Sequence, residues 1–275
     1  MNLTTAVLIT GGASGIGKAC AEALARQGRP IMIWDIDSKA AAASASQIQQ
    51  NFNVDTSSYG IDISQFNEFE SALTASRMSQ HSIGGLVHAA GVDGSVALDD
   101  LTPESWQRIM DINLGALPFL TQILLPDLAA NSGSAIVGIA SINAHLGNQA
   151  NLSYSASKSG MLGLIKALAD SLANDNIRIN AVSPGQIDTP MLAGPMAYMD
   201  GLREQFERRI LMGRLGQASE VANAVAFLLS DQASYITASE LVVDGGNLSS
   251  QRLSLIHISE PTRQEAISYA VFCLK

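Results

Sequence analysis

Thr10-Gly11-Gly12-Ala13-Ser14-Gly15-Ile16-Gly17 stands between an apolar run, Ala6-Val7-Leu8-Ile9, and an alanine-rich stretch over 18–27. A second apolar run over 31–34 follows and ends at Asp35. Short, continuously apolar runs suit parallel strands buried on both faces. The stretch 18–27 predicts a helix, with Gly28 as its C-terminal cap. The order is therefore strand, glycine loop, helix, strand, acid. Glycines let a backbone turn tightly and approach a pyrophosphate, while a helix N-terminus offers free N–H groups and its positive dipole end. An acid at the end of the second strand can accept hydrogen bonds from ribose hydroxyls. A glycine-rich turn without a ligand is the plainer alternative, but strand, helix and acid together favour dinucleotide binding. The glycines here are Gly11, Gly15 and Gly17, a spacing different from G-x-G-x-x-G.

Downstream, strands are expected at 57–61, leading to Asp62-Ile63, at 84–88, opening into His88-Ala89-Ala90-Gly91, and at 134–140, closed by Ser141. Further strands are expected at 177–182 and 240–243, the first broken by Ser183-Pro184-Gly185. Helices are expected at 39–50, 65–78 and 220–229. Thr102-Pro103-Glu104 reads as a helix start, with Thr102 as N-cap and Pro103 in the first turn. That helix carries Asn113, and Pro118 within it should kink it and free the Leu114 carbonyl. The segment 190–213 holds four of the nine methionines, Met191, Met196, Met199 and Met212, after the carboxyl end of a strand. A flexible apolar segment there suits a substrate lid. Strands alternating with helices predict a doubly wound α/β sheet, a Rossmann-type single domain over 1–247.

Composition narrows the functional classes. A net charge of -9 argues against nucleic acid and anionic membrane as partners. Cys20 and Cys273 form no disulfide framework, which fits a cytoplasmic protein. The N-terminus lacks a basic region followed by a cleavable apolar run. The most apolar helical stretch, 114–125, is read as too short to span a bilayer.

Ser153-Tyr154-Ser155-Ala156-Ser157-Lys158 places a phenol and an ammonium four residues apart, on one helix face. The expected effect of the lysine is to lower the tyrosine's pKa. A fall of about three units from a reference near ~10 requires roughly 4 kcal/mol of differential stabilisation. A plain surface pair produces the same spacing, so the rest of the chain decides.

Over residues 4–247 the chain resembles the short-chain dehydrogenase/reductase family. Thr10 to Gly17 is similar to that family's cofactor loop. Asn113, Ser141, Tyr154 and Lys158 are similar to its catalytic tetrad, with Ser141 thirteen residues before Tyr154. Pro184-Gly185 and Thr189 resemble its nicotinamide-side loop. The resemblance implies cofactor contacts from Gly11, Ser14, Gly15, Ile16, Gly17, Asp35, Asp62, Ile63, Ala89, Ala90, Gly91, Tyr154, Lys158, Gly185, Ile187 and Thr189. It implies Tyr154 as acid–base, Ser141 orienting the substrate oxygen, and Lys158 stabilising the phenolate and binding the nicotinamide ribose. Asn113 would hold a water leading to solvent. A homotetramer is expected on the same basis, and no metal site. One departure is His88-Ala89-Ala90-Gly91 where the family usually has Asn-Asn-Ala-Gly; His88 is read as a packing residue.

Asp35 repels a 2′-phosphate and accepts from a free 2′-hydroxyl, and Ser14 occupies a position where NADPH-using relatives often carry a basic residue. The expected cofactor is NAD. Asp93, Asn143, His145, Gln149, Gln186 and Met191 are candidate contacts for a small-molecule substrate, a secondary alcohol or ketone of largely apolar character. A 3-oxoacyl-thioester reductase using NADPH and a non-catalytic dinucleotide-binding sensor or scaffold are the alternatives. Residues 248–275 form an atypical tail, and 253–275 resemble translated technical sequence rather than native protein.

Overall fold

Apolar runs become strands where both faces can be covered, and the computed structural model, which describes residues 5–94, 96–147 and 151–250, has that arrangement. The strands are β1 (Ala6–Thr10), β2 (Ile31–Asp35), β3 (Thr56–Gly60), β4 (Ile83–His88), β5 (Ala135–Ile139), β6 (Arg178–Pro184), β7 (Ile187–Asp188), β8 (Gly216–Gln217) and β9 (Glu240–Val243). The helices are α1 (Gly15–Arg26), α2 (Ser38–Phe52), α3 (Phe69–Ser76), α4 (Pro103–Met110), α5 (Ala116–Ala130), α6 (Leu152–Leu172), α7 (Pro190–Tyr198), α8 (Leu202–Arg209) and α9 (Ala218–Leu228). Seven strands form one parallel sheet in the order β3-β2-β1-β4-β5-β6-β9. The order reverses between β1 and β4, and a crevice opens there beyond the strands' carboxyl ends.

One core packs α3, α5 and α6 on one face of the sheet, through Phe69, Leu117, Leu120, Leu124, Met161 and Ile165. The other packs α1, α2 and α9, through Cys20, Leu24, Ile48, Val221 and Val225. Fully burying a side chain of this size stabilises by roughly 1.5–3 kcal/mol, so the two layers hold the sheet from both sides.

Several elements differ from expectation. The first helix starts at Gly15, earlier than residue 18, so the glycine loop itself supplies its first turn. The helix capped by Thr102 is longer than its apolar stretch suggested. α4 runs through a π-turn at Asp111–Gly115 into α5, giving a helical run from Pro103 to Ala130 of 28 residues. It is long and apolar enough to cross a membrane by length and composition, which corrects the reading of 114–125 as too short. Its apolarity serves the core, where Leu117, Leu120, Leu124 and Leu128 are buried. The 190–213 segment contains two helices, α7 and α8, followed by the short β8, which pairs with β7. Cys273, Gln149 and the segment 253–275 lie outside the described residues.

Candidate active site

A cleft of about 310 Å³ lies at the reversal point. Gly11, Ser14, Gly15, Ile16 and Gly17 line one side, Asp35, Asp62 and Ile63 one end, and Ala89, Ala90, Gly91 and Thr189 the rest. The loop's shape follows from its glycines. Gly11 has φ +68°, and a Cβ there would lie 2.8 Å from the Ala90 backbone. A Cβ on Gly17 would lie 2.1 Å from the Gly11 carbonyl oxygen. The N-cap of α1, Ser14, makes no side-chain capping bond, so the N–H groups of the first turn are left to the cleft. Asp35 is fixed at the cleft's far end by N–H donors from Ala13 (3.0 Å) and Asp37 (3.1 Å). An uncapped helix N-terminus, a glycine floor and a fixed carboxylate fit a dinucleotide's pyrophosphate and ribose.

Asp62 lies at the same end. Burial acts to raise its pKa, but hydrogen bonds from the Ser64 N–H and hydroxyl and the charge of Arg108 hold it below the ordinary range. Arg108 Nη1 is 3.6 Å from its carboxylate and also lines the cleft. Arg108, Trp34, Ile36 and Ile112 were not identified from the sequence. Trp34 and Ile36 flank Asp35 and could have been found from that adjacency. Arg108 and Ile112 reach the cleft only through the way the helix docks, for which no local motif exists.

Of the proposed tetrad, Asn113 and Lys158 lie beside Gly91, and Tyr154 and Ser141 follow from Lys158. α6 presents Tyr154 and Lys158 on one face, with Lys158 Nζ 5.6 Å from the Tyr154 ring centroid. Lys158 is buried and donates to the Ile139 carbonyl at 2.7 Å, and burial pushes its pKa down to about 8. Ser141 closes β5 and hydrogen-bonds the Tyr154 hydroxyl. The expected lowering of the Tyr154 pKa is reversed. Burial raises it, the Ser141 hydrogen bond opposes that, and the Asp93 carboxylate adds to it. Removing the phenolate from water outweighs an ammonium that is itself turned to a backbone carbonyl.

Asn113 sits in the π-turn with its side-chain amide committed. Its Oδ1 accepts from the Val92 N–H (2.9 Å), and its Nδ2 donates to the Val92 carbonyl (3.1 Å) and to Ser157 Oγ (3.3 Å). The side chain clamps the cleft loop, and its amide is engaged in that clamp rather than turned to solvent.

The remaining candidates are more scattered. Met191 lines the cleft. Asn143 follows Ser141 closely and donates its N–H to Ser141 Oγ at 3.1 Å. His145 is exposed and bonded to Glu240 of β9 at 2.7 Å. Gln186 accepts from Asn247 Nδ2 at 2.9 Å. Ile187 lines a second cavity, with Arg214, Glu220 and Asp244. Gly185 packs against Asp244, where a Cβ would meet the Asp244 backbone at 2.8 Å.

A doubly wound sheet, a glycine-lined cleft at its reversal point and a Ser–Tyr–Lys cluster beside it define a dinucleotide-dependent oxidoreductase. Residues 11–247 match the family model described as enoyl-(acyl carrier protein) reductase. A 3-oxoacyl-[acyl-carrier-protein] reductase FabG of Chlamydia trachomatis is 34% identical over 241 residues, covering 87% of this chain and 95% of the relative. A cyclohexanol dehydrogenase of Acinetobacter sp. is 36% identical over 244 residues, covering 86% and 92%. The crystal structure of levodione reductase aligns with a TM-score of 0.83 at 31% identity, covering 90% of this chain and 98% of that one. The chain belongs to the short-chain dehydrogenase/reductase family. Members of this family are oxidoreductases that act on CH–OH groups and bind a nicotinamide dinucleotide.

Proposed function

We propose that this protein interconverts a secondary alcohol and a ketone of largely apolar character using NAD. The observation that carries the reading is a chain of contacts: Ser141 hydrogen-bonds Tyr154, Lys158 Nζ lies 5.6 Å from the Tyr154 ring centroid, and the same Nζ lies 3.7 Å from the Cβ position of Gly91, which lines the cleft. A nicotinamide dinucleotide in the cleft supplies the hydride acceptor or donor. Tyr154 Oη takes the hydroxyl proton in oxidation and returns it in reduction. Ser141 Oγ holds the substrate oxygen beside that phenol. Lys158, with its charge retained near neutral pH, favours the phenolate as it forms. The Asn113 clamp keeps Val92 and Gly91 against the lysine.

The cofactor choice rests on charge at the adenosine end. Among the described residues lining the cleft, Asp35 and Asp62 are acidic and the cation is Arg108, already beside Asp62. A 2′-phosphate would meet the Asp35 carboxylate, whereas a free 2′-hydroxyl can donate to it. The name of the cyclohexanol dehydrogenase supports an alicyclic alcohol, and the name of the FabG relative supports a second reading, reduction of 3-oxoacyl thioesters. A panel of secondary alcohols, ketones and one 3-oxoacyl thioester, assayed with both cofactors, separates them. Turnover of alcohols or ketones with a clear preference for NAD is expected; equal efficiency with NADP would remove the cofactor assignment. Tyr154→Phe is expected to lower kcat by about 10²–10⁴ with dinucleotide affinity retained, and full turnover in that variant would remove the mechanism.

A further inference from the structure

His88 ends β4 where the sheet order reverses, and its buried ring reaches from β1 to the π-turn. Nε2 lies 3.1 Å from the Ile112 carbonyl oxygen and Nδ1 lies 2.9 Å from Thr10 Oγ1. A carbonyl can only accept, so Nε2 carries the proton and Nδ1 accepts from the Thr10 hydroxyl. Thr10 Oγ1 in turn accepts from the Ala90 N–H at 3.2 Å. Each group in this chain has one consistent role.

The Ile112 carbonyl is the group the π-turn displaces. In a regular helix the Ala116 N–H would serve it, but here that N–H is given to Asp111. The next residue, Asn113, clamps Val92 through both ends of its amide. A circuit therefore closes from Ala90 through Thr10, His88, Ile112 and Asn113 to Val92. The residue it encloses, Gly91, has its Cβ position 3.4 Å from Asn113 Oδ1 and 3.7 Å from Lys158 Nζ.

We propose that His88 is a positioning residue: by donating to the Ile112 carbonyl it fixes the π-turn, and so holds Asn113 and the Gly91 floor against Lys158. Its kinetic consequence rests on the hydride-transfer reading above, whereas its structural consequence does not. An asparagine side chain reproduces the Nδ1 position of histidine, and a glutamine the Nε2 position. His88→Asn keeps the Thr10 bond and loses the one to Ile112; His88→Gln does the reverse.

Hydrogen exchange read by mass spectrometry on the ligand-free protein is expected to speed up over residues 111–117 in His88→Asn and to stay close to wild type in His88→Gln. In the active enzyme, kcat is expected to fall roughly tenfold in His88→Asn, the scale of one lost hydrogen bond, with a displaced pH–kcat profile and an unchanged KM for the dinucleotide. His88→Gln is expected to preserve both. Equal behaviour of the two variants in exchange and in pH profile would overturn the proposal. If His88→Asn does not fold, ¹⁵N spectra of the wild-type imidazole decide: protonation at Nε2 supports the assignment and protonation at Nδ1 overturns it. A wild type with no nicotinamide-dependent turnover would defeat the proposed function alone, since the exchange and ¹⁵N measurements still judge His88.

Discussion

A methyl group on Gly17 would meet the Gly11 carbonyl oxygen at 2.1 Å, and that oxygen belongs to backbone that cannot swing aside. Gly17→Ala is therefore expected to cost about 1–3 kcal/mol, seen as a lower Tm, and to weaken dinucleotide binding in calorimetry. An unchanged Tm with unchanged affinity would mean the loop is looser than its contacts imply. Gly11, Gly15 and Gly17 could be read from the sequence because a strand, its turn and the following helix are neighbours along the chain. His88 could be recognised only as a departure. Its partners, Thr10 and Ile112, lie 78 and 24 residues away, and no local pattern joins them. The same holds for Tyr154: the spacing to Lys158 could be counted, but the direction of the pKa shift depends on burial and on Asp93.

The α4–α5 run shows how far an element can be read. Pro118 signalled an interruption, since it lacks the N–H that would bond the Leu114 carbonyl. That the interruption takes the form of a π-turn, one residue wider than a regular turn, is set by what surrounds it: the donor from His88 and the Val92 clamp on Asn113. Pro118→Ala restores a donor to the Leu114 carbonyl, one turn back, and so favours a regular helix. We expect kcat to fall by roughly three- to tenfold, a barrier change near 1 kcal/mol, with the KM for dinucleotide unchanged; steady-state kinetics with varied cofactor reads both. Unaltered kcat would show that the turn persists without the proline. The 190–213 segment followed a different course. Its methionines suggested a pliable apolar strip; the chain there winds into α7 and α8, leaving Met191 exposed at the cleft, Met212 exposed at the second cavity and Met199 exposed on the surface.

For the molecule as a whole, the buried polar groups predict an acid-sensitive fold. Burial and the nearby Lys158 charge push the His88 pKa down to about 3, with hydrogen bonds to the Ile112 and Asn113 backbone opposing. Below its ordinary value near 6.5 the unfolded chain takes up a proton that the folded chain refuses. Stability is thus full above about pH 6.5 and is lost as pH falls toward 3, by up to roughly 5 kcal/mol from this group. Urea unfolding followed from pH 7 to 4 is expected to show the decline. The decline between pH 6.5 and 5 is expected to flatten in His88→Gln, and a wild-type slope in that variant would assign it elsewhere. Lys158 works in the other direction. Its folded pKa of about 8 lies below the ordinary lysine value of 10.5, so its buried charge costs stability at neutral pH, and the loss is relieved progressively as pH rises from about 8 to 10.5.

The amino-acid sequence by itself determined the alternation of strands and helices, the glycine turn, the acid after the second strand and the identities of the groups available for chemistry. These are local properties, set by side-chain period, backbone freedom and residue type, and they survive without knowing what lies opposite. The tertiary structure decided what those groups meet. It turned Lys158 toward the Ile139 carbonyl, brought Arg108 to Asp62, committed the Asn113 amide to Val92 and gave His88 partners on β1 and in the π-turn. Each depends on burial and on contacts between residues far apart in the chain, and an electrostatic shift or a displaced carbonyl exists only once those residues share one low-dielectric interior.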